Sequence, residues 1–210
     1  MEWEFQEHKD AYHLLNTKYE DEFRDVLDVI ENTSEQNIID VFESRRQKSI
    51  DSNSKKDKSL SDTINQIFKK SFESKSWKSE SLIFNESAYT NKNWRLDFVK
   101  KDISLEVAFN HHGTVCWNLI KPYLASEQNH VKKEVETKIS VIISATKEFQ
   151  KLGGFDAAIG RFENYCSYLR PLGQILSVPT LIIGLKAPKT FKIVHKKEGR
   201  LSIGHIEKKL

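Results

Sequence analysis

Two carboxylates nine residues apart, Asp97 and Glu106, are the residues of this chain whose types and spacing best support chemistry. From Ile103 the chain reads Ile103-Ser104-Leu105-Glu106-Val107-Ala108-Phe109, so Ile103, Leu105, Val107 and Phe109 alternate with Ser104, Glu106 and Ala108. Alternation of this kind is the period of a strand with one buried face, and it lets Glu106 face a cleft while its neighbours anchor the strand. Trp94-Arg95-Leu96-Asp97-Phe98-Val99 also reads as extended, with Lys100-Lys101-Asp102 as a polar turn between the two. Folded as a hairpin, the pair brings both carboxylates together. Two carboxylates with no cation between them repel, and a hard divalent cation such as Mg2+, which prefers oxygen ligands, relieves the repulsion.

The elements that position this hairpin are legible on both sides of it. Tyr19, Phe23, Val26, Leu27 and Ile30 recur at helical spacing, Asn32-Thr33-Ser34 ends that helix, and Ser34 caps a second one carrying Ile38, Ile39, Val41 and Phe42. Residues 51–58 read as an exposed loop. Ser59-Leu60-Ser61-Asp62 fits a capping box opening a third amphipathic helix through Ile64, Ile67, Phe68 and Phe72. After the hairpin, residues 116–135 read mainly as helix, begun or interrupted by Pro122. The β-branched run 139–145 reads as a central strand, residues 155–169 as an amphipathic helix, and residues 179–185 as a second buried strand. Strand, helix, strand in that order implies a parallel pair joined by a crossover. Trp94 and Trp117, in amphipathic segments, read as core or interface residues.

The 210 residues suit one compact domain, or one with an added helical arm. No apolar run reaches the length needed to span a bilayer, and Met1-Glu2-Trp3-Glu4-Phe5 lacks the features of a signal peptide, so the expected location is the cytoplasm. Cys116 and Cys166 show no ligand spacing and read as free thiols. Charge is distributed unevenly. Residues 1–43 hold thirteen acidic residues against three basic, residues 45–58 hold six basic against two acidic, and residues 186–210 hold eight basic against two acidic. The two basic segments are candidate contacts for a phosphate backbone, through Arg45, Arg46, Lys55, Lys56, Lys189, Lys192, Lys196 and Lys197. Thr190-Phe191-Lys192-Ile193-Val194-His195 alternates as a strand would, so its polar side can follow phosphates while the other packs.

Trp77-Lys78-Ser79-Glu80, residues 97–109, residues 138–147 and residues 155–185 together resemble, in order, spacing and local sequence, the BglII and BstYI type of restriction endonuclease. The resemblance covers roughly residues 64–188, with a similar pattern at residues 10–30. It implies an α/β fold of the nuclease class named for its Asp and Glu-x-Lys signature, PD-(D/E)XK. That is a mixed sheet flanked by helices, here with a helical N-terminal region over 1–73, a nuclease core over 74–188 and a basic tail or edge strand over 189–210. It further implies Asp97 and Glu106 as metal-binding carboxylates, the carbonyl of Val107 as a third ligand, Glu80 near the upstream polar active-site residue, and Mg2+ as cofactor. The implied activity is hydrolysis of double-stranded DNA at a short palindromic site by a homodimer.

The chain departs from that pattern at Ala108, two residues after the second carboxylate, where the wider class carries Lys and close relatives usually Gln. A methyl group can neither hold a water nor accept its proton. Substitutes suggested by proximity in sequence are Glu80, Asn110, His111 and His112, and Glu127 with His130, whose spacing puts them on one face of the expected helix. His111 and His112 would point to opposite faces of a strand end. Ala108 also keeps open a sequence-specific DNA-binding protein with a degenerate site, and a nuclease selective for DNA structure stands as a further alternative.

Overall fold

The computed structural model describes residues 1–54, 56–127, 130–199 and 201–209. In chain order the elements are β1 (Trp3–His8), α1 (Ala11–Thr17), α2 (Glu20–Glu31), α3 (Glu35–Asp51), α4 (Ser61–Ser74), β2 (Lys78–Leu82), β3 (Arg95–Lys100), β4 (Ile103–Val107), α5 (Val115–Ser126), β5 (Ile139–Ala145), α6 (Lys147–Leu152), α7 (Phe162–Leu172), β6 (Thr180–Leu185), β7 (Phe191–Glu198) and β8 (Leu201–Lys208). Short 3-10 turns lie at Ser87–Tyr89, Lys92–Trp94 and His112–Thr114.

Six strands form one mixed sheet in the order β1-β6-β5-β4-β3-β2. β4, β5 and β6 run parallel, and the strands outside them are antiparallel to their neighbours. Every residue of β5 and β6 is buried, as expected of parallel strands covered on both faces. The alternation in β4 assigns the two faces. Ile103, Leu105 and Val107 join a core with Phe23, Ile30, Phe42, Ile64 and Phe72 of the N-terminal helices, while Ala108, Ile142 and Ile182 join a second core with Val115, Leu119, Tyr165 and Leu169 of α5 and α7. The result is a helix–sheet–helix sandwich with Asp97 and Glu106 on its β3–β4 hairpin.

Phe72 anchors the first core, fully buried against the rings of Trp77 at 5.4 Å and Phe98 at 4.9 Å. Phe72→Ala should lower unfolding free energy by about 3–5 kcal/mol, the usual cost of emptying a phenylalanine site. Urea denaturation followed by circular dichroism measures it, and a loss under about 1 kcal/mol would mean that the core repacks around the gap.

Several sequence expectations need correction. The N-terminal region is not only helical, because Trp3–His8 pairs antiparallel with β6 from Trp3↔Leu185 to His8↔Thr180 and becomes an edge of the main sheet. Its acidic side chains suit an edge, where charge discourages further pairing. The expected helix from 155 starts only at Phe162: Phe155 and Ile159 enter the first core whereas Tyr165 and Leu169 enter the second, so their apparent common face is split by the sheet. Gly154, at φ +71°, turns the chain just before this segment. At α4 no side chain caps the helix; Ser59 Oγ only accepts from the Ser61 amide at 3.3 Å.

The residue 190–195 strand expectation holds, but the strand belongs to a separate hairpin. β7 and β8 pair with each other, burying Phe191, Ile193 and Ile203. The hairpin docks on the loop before α4 at Gly204, whose amide donates to Asp57 O at 3.0 Å and where any Cβ would lie 2.6 Å from Lys58 O. Both cysteines are free and half-buried. Among the described residues no helix is long and apolar enough to cross a membrane.

Candidate active site

The β3–β4 hairpin has the geometry that its sequence predicts. Phe98↔Leu105, Val99↔Ser104 and Lys100↔Ile103 pair around the turn, where Lys101 takes φ 48°. Continuing that register by one step sets Asp97 across from Glu106. Asp97 Oδ2 accepts from the Val107 amide at 2.8 Å, and the Asp97 amide approaches Glu106 Oε1 at 3.4 Å. Glu80 occupies the corresponding step on the other side: Ser79↔Phe98 and Ser81↔Leu96 flank it, so it faces Asp97 from β2. Its backbone sits at φ 53°, a costly conformation for a non-glycine residue and one that clusters at functional sites.

Glu80 and Asp97, together with Asn110, line two adjoining clefts of about 210 and 460 Å3, while Glu106 lies buried behind Asp97. The smaller is completed by Asn65, Lys69, Ser79, Phe98 and Val107. The larger is completed by Asn93, Arg95, Thr114, Trp117, Asn118 and Lys121. Trp117, a wall of the larger cleft, stands against Trp94, ring centroids 5.2 Å apart, and donates to Asn93 O at 3.0 Å. Asn118 is held by its amide bond to the Tyr165 hydroxyl at 2.8 Å.

Lys121 is the residue that sequence reading missed. It projects from α5, donates to Arg95 O at 3.0 Å and forms an ion pair with Glu106 Oε2. The signal was present as Asn118 and Lys121, three residues apart on the buried, otherwise apolar face of a helix that also carries Val115, Leu119 and Pro122.

A profile of the restriction endonuclease BglII/BglIII family matches residues 3–185. The chain belongs to this family. Its members are site-specific deoxyribonucleases. The fold agrees: a crystal structure of restriction endonuclease BglII complexed with a DNA 16-mer superposes with a TM-score of 0.65 at 16% identity, covering both chains in full. Free BglII superposes with a TM-score of 0.53 at 15% identity, again over both chains. A comparison with curated protein sequences gave no match.

Among the other residues that the sequence singled out in this BglII-family chain, His111 caps the 3-10 turn at His112–Thr114, accepting from the Gly113 amide at 3.1 Å, and does not line the clefts described. The strand ends at Val107, so His111 and His112 are not alternating strand residues. Glu127 and His130 share no helix face, because α5 stops at Ser126 where Lys133 Nζ binds the Ala125 and Glu127 carbonyls. Glu127 instead bonds the Ser177 hydroxyl, and His130 is exposed. Lys55 lies outside the described residues.

Most of the basic residues have acidic partners within the chain. Arg45 grips Asp57 through two bonds of 2.6 and 3.1 Å, Arg46 and Lys56 converge on Glu198 at 3.7 and 2.5 Å, Lys189 pairs with Glu2, and Lys192 lies 2.6 Å from Glu207. Lys196 and Lys197 are exposed on β7. Phe109 touches Phe155, and Gly154 lies against Ile193, so the hairpin sits beside the end of β4 from which Glu106 and Val107 emerge.

Burial pushes the Glu106 carboxyl up to about 8; the charge of Asp97 adds to the rise and Lys121 opposes it. Asp97 is raised by burial too, against Lys121 and the Val107 amide, with Glu80 adding to the rise. A carboxyl raised on folding binds more protons in the folded chain than in the unfolded one, so stability falls as pH climbs from about 4.5 toward 8. With divalent ions chelated, the thermal midpoint of Glu106→Gln relative to the unsubstituted chain should therefore rise between about pH 5 and pH 8.5. Scanning calorimetry across that range gives the difference; a constant offset would mean that Glu106 does not titrate there.

Proposed function

We propose that this chain hydrolyses phosphodiester bonds of double-stranded DNA at a short palindromic sequence with Mg2+ as cofactor. The observation that carries the reading is the Asp97–Glu106 pair, with Asp97 lining an open cleft and Glu106 buried directly beside it, in a chain of the BglII family. The donor set suits Mg2+. Two carboxylates and the Val107 main chain offer only oxygen, and among the described residues no group of three or more His, Cys, Asp or Glu side chains is placed to hold an ion. The remaining ligands would be water and substrate phosphate, which a small hard cation accepts.

When bound, the cation would stabilise charge on the phosphoryl group and supply an activated water. The protein's part is positional. The Val107 amide holds Asp97, and the β3–β4 register fixes Glu106 beside it. Basic and polar groups along the clefts and the β7–β8 hairpin would face the duplex, with phosphate contacts setting position and base contacts setting sequence. The enclosed methyl of Ala108, 1% exposed, favours one alternative: a sequence-specific DNA binder that has lost turnover.

Digestion of a sequenced plasmid with Mg2+, followed by sequencing of the fragment ends, separates the readings. Discrete ends at one sequence are expected. Retention of uncut DNA would favour the binder, and ends without a common sequence would remove the site-specific reading. A palindromic site calls for a two-fold assembly, so sedimentation on a cognate duplex should show two chains per duplex; one chain would exclude the symmetric arrangement.

A further inference from the structure

We infer that Lys121 is the catalytic cation of this nuclease, carrying out from helix α5 the work that Ala108 cannot do from strand β4. The inference rests on the metal-dependent hydrolysis proposed above. Ala108 lies on the same face of β4 as Glu106, but its methyl is packed among Val115, Leu119 and Ile142 and offers no donor. Lys121 approaches Glu106 from the helix that packs on this face. Its side chain is 8% exposed and that of Glu106 3%, yet Lys121 lines the same cleft as Glu80, Asp97 and Asn110.

Several candidates for the missing group can be set aside. His111, Glu127 and His130 do not line the clefts, Glu80, an acid, carries no N–H donor, and Asn110, which lines both clefts, carries no positive charge. The cationic residues lining the clefts are Lys69, Arg95 and Lys121, and of these Lys121 contacts Glu106. An ammonium has three donors. One bonds Glu106 and a second the Arg95 carbonyl, and the third is available to a phosphate oxygen or the attacking water.

A purely structural ion pair is a poor account of these facts. Apolar replacements of buried pairs are often neutral or stabilising, and the rest of this helix face is already apolar apart from Asn118, whose amide Tyr165 holds. In the reaction, water oxygen forms the new bond to phosphorus while the bond from phosphorus to the leaving sugar oxygen breaks and its electron pair stays on that oxygen. The water gives up one proton to solvent and the leaving oxygen gains one. Lys121 would hold the attacking water in line and bind the phosphoryl oxygen on which charge accumulates.

The test compares single-turnover cleavage of a cognate duplex by the full chain, Lys121→Met, Asp97→Asn and the relocated pair Lys121→Ala with Ala108→Lys, all at saturating Mg2+. Duplex affinity without metal and thermal midpoint are read on each protein. Lys121→Met should cut about 10²-fold or more slowly, the scale of a lost transition-state donor, with affinity within about threefold. The relocated pair should recover at least about tenfold of that loss, a gain that a structural role would not produce. Lys121→Met cutting at the unsubstituted rate, or a folded relocated pair no faster than Lys121→Met, overturns the assignment. If Lys121→Met does not fold, the relocated pair decides alone: cleavage supports the assignment and a folded but inactive protein overturns it. An Asp97→Asn variant as active as the unsubstituted chain, or an unsubstituted chain that does not cut, overturns the underlying metal-nuclease reading and the assignment with it. An inactive Asp97→Asn beside a fully active Lys121→Met overturns the lysine alone.

Discussion

Asp97→Asn and Glu106→Gln should each lower the rate of DNA cleavage by about 10³-fold or more, since Lewis-acid stabilisation is worth several kcal/mol and each 1.36 kcal/mol is tenfold in rate. Neither change should unfold the chain. Asp97→Asn keeps a side-chain oxygen for the Val107 amide, whose hydrogen bond the Asp97 carboxylate now accepts at 2.8 Å. Glu106→Gln relieves a buried carboxyl that sits beside a second negative charge. Duplex affinity measured without metal should hold or rise, because Asp97→Asn replaces a carboxyl that lines the cleft by a neutral amide and Glu106 is buried away from the phosphates. Rapid-quench cleavage assays alongside fluorescence anisotropy on the same duplex separate the two effects. Cleavage by either variant within about tenfold of the unsubstituted chain would show that the cleft floor is not where the metal acts.

Affinity for DNA should fall steeply with salt, by about 10³-fold or more between 50 and 200 mM if six or more phosphates are neutralised. The structure divides the basic residues by expected effect. Lys196→Ala and Lys197→Ala, exposed on the hairpin beside the cleft, should each reduce the slope of log affinity against log salt by about one. Arg45→Ala should leave the slope nearly unchanged and lower stability instead, because its guanidinium closes the loop before α4 onto Asp57 and Gln66. Anisotropy titrations at several salt concentrations, paired with urea denaturation, read both quantities. An unchanged slope in Lys196→Ala and Lys197→Ala would take the hairpin away from the duplex. A slope reduced by Arg45→Ala would show that its ion pair opens to bind phosphate.

The same division between local pattern and long-range contact runs through the whole molecule. The β3–β4 hairpin, the Asp97–Glu106 pairing and the buried strands β5 and β6 are legible in the chain itself. Alternation sets which face each side chain takes, a short polar turn sets the register, and a β-branched run buried on both faces leaves little choice of element. Neighbours in space are here also neighbours in sequence, or are bound by a period of two. Other features depend on partners far along the chain. Trp3–His8 is a strand because β6, far later in the sequence, offers it a free edge. Phe155 and Tyr165 look like one helix face and are buried on opposite sides of a sheet that neither residue specifies. Arg45, Arg46 and Lys56 read as a free basic patch until folding brings Asp57 and Glu198 to them.

Lys121 marks that boundary most sharply. In sequence it is one lysine in an apolar helix, fifteen residues from Glu106 and without any motif to join them. Its meeting with Glu106 needs the crossover that lays α5 against the sheet, and a side chain long enough to carry an ammonium from that helix to the carboxylate. Local spacing could place the two acids because one hairpin holds both. Only the packing of helix on sheet could bring the cation to them.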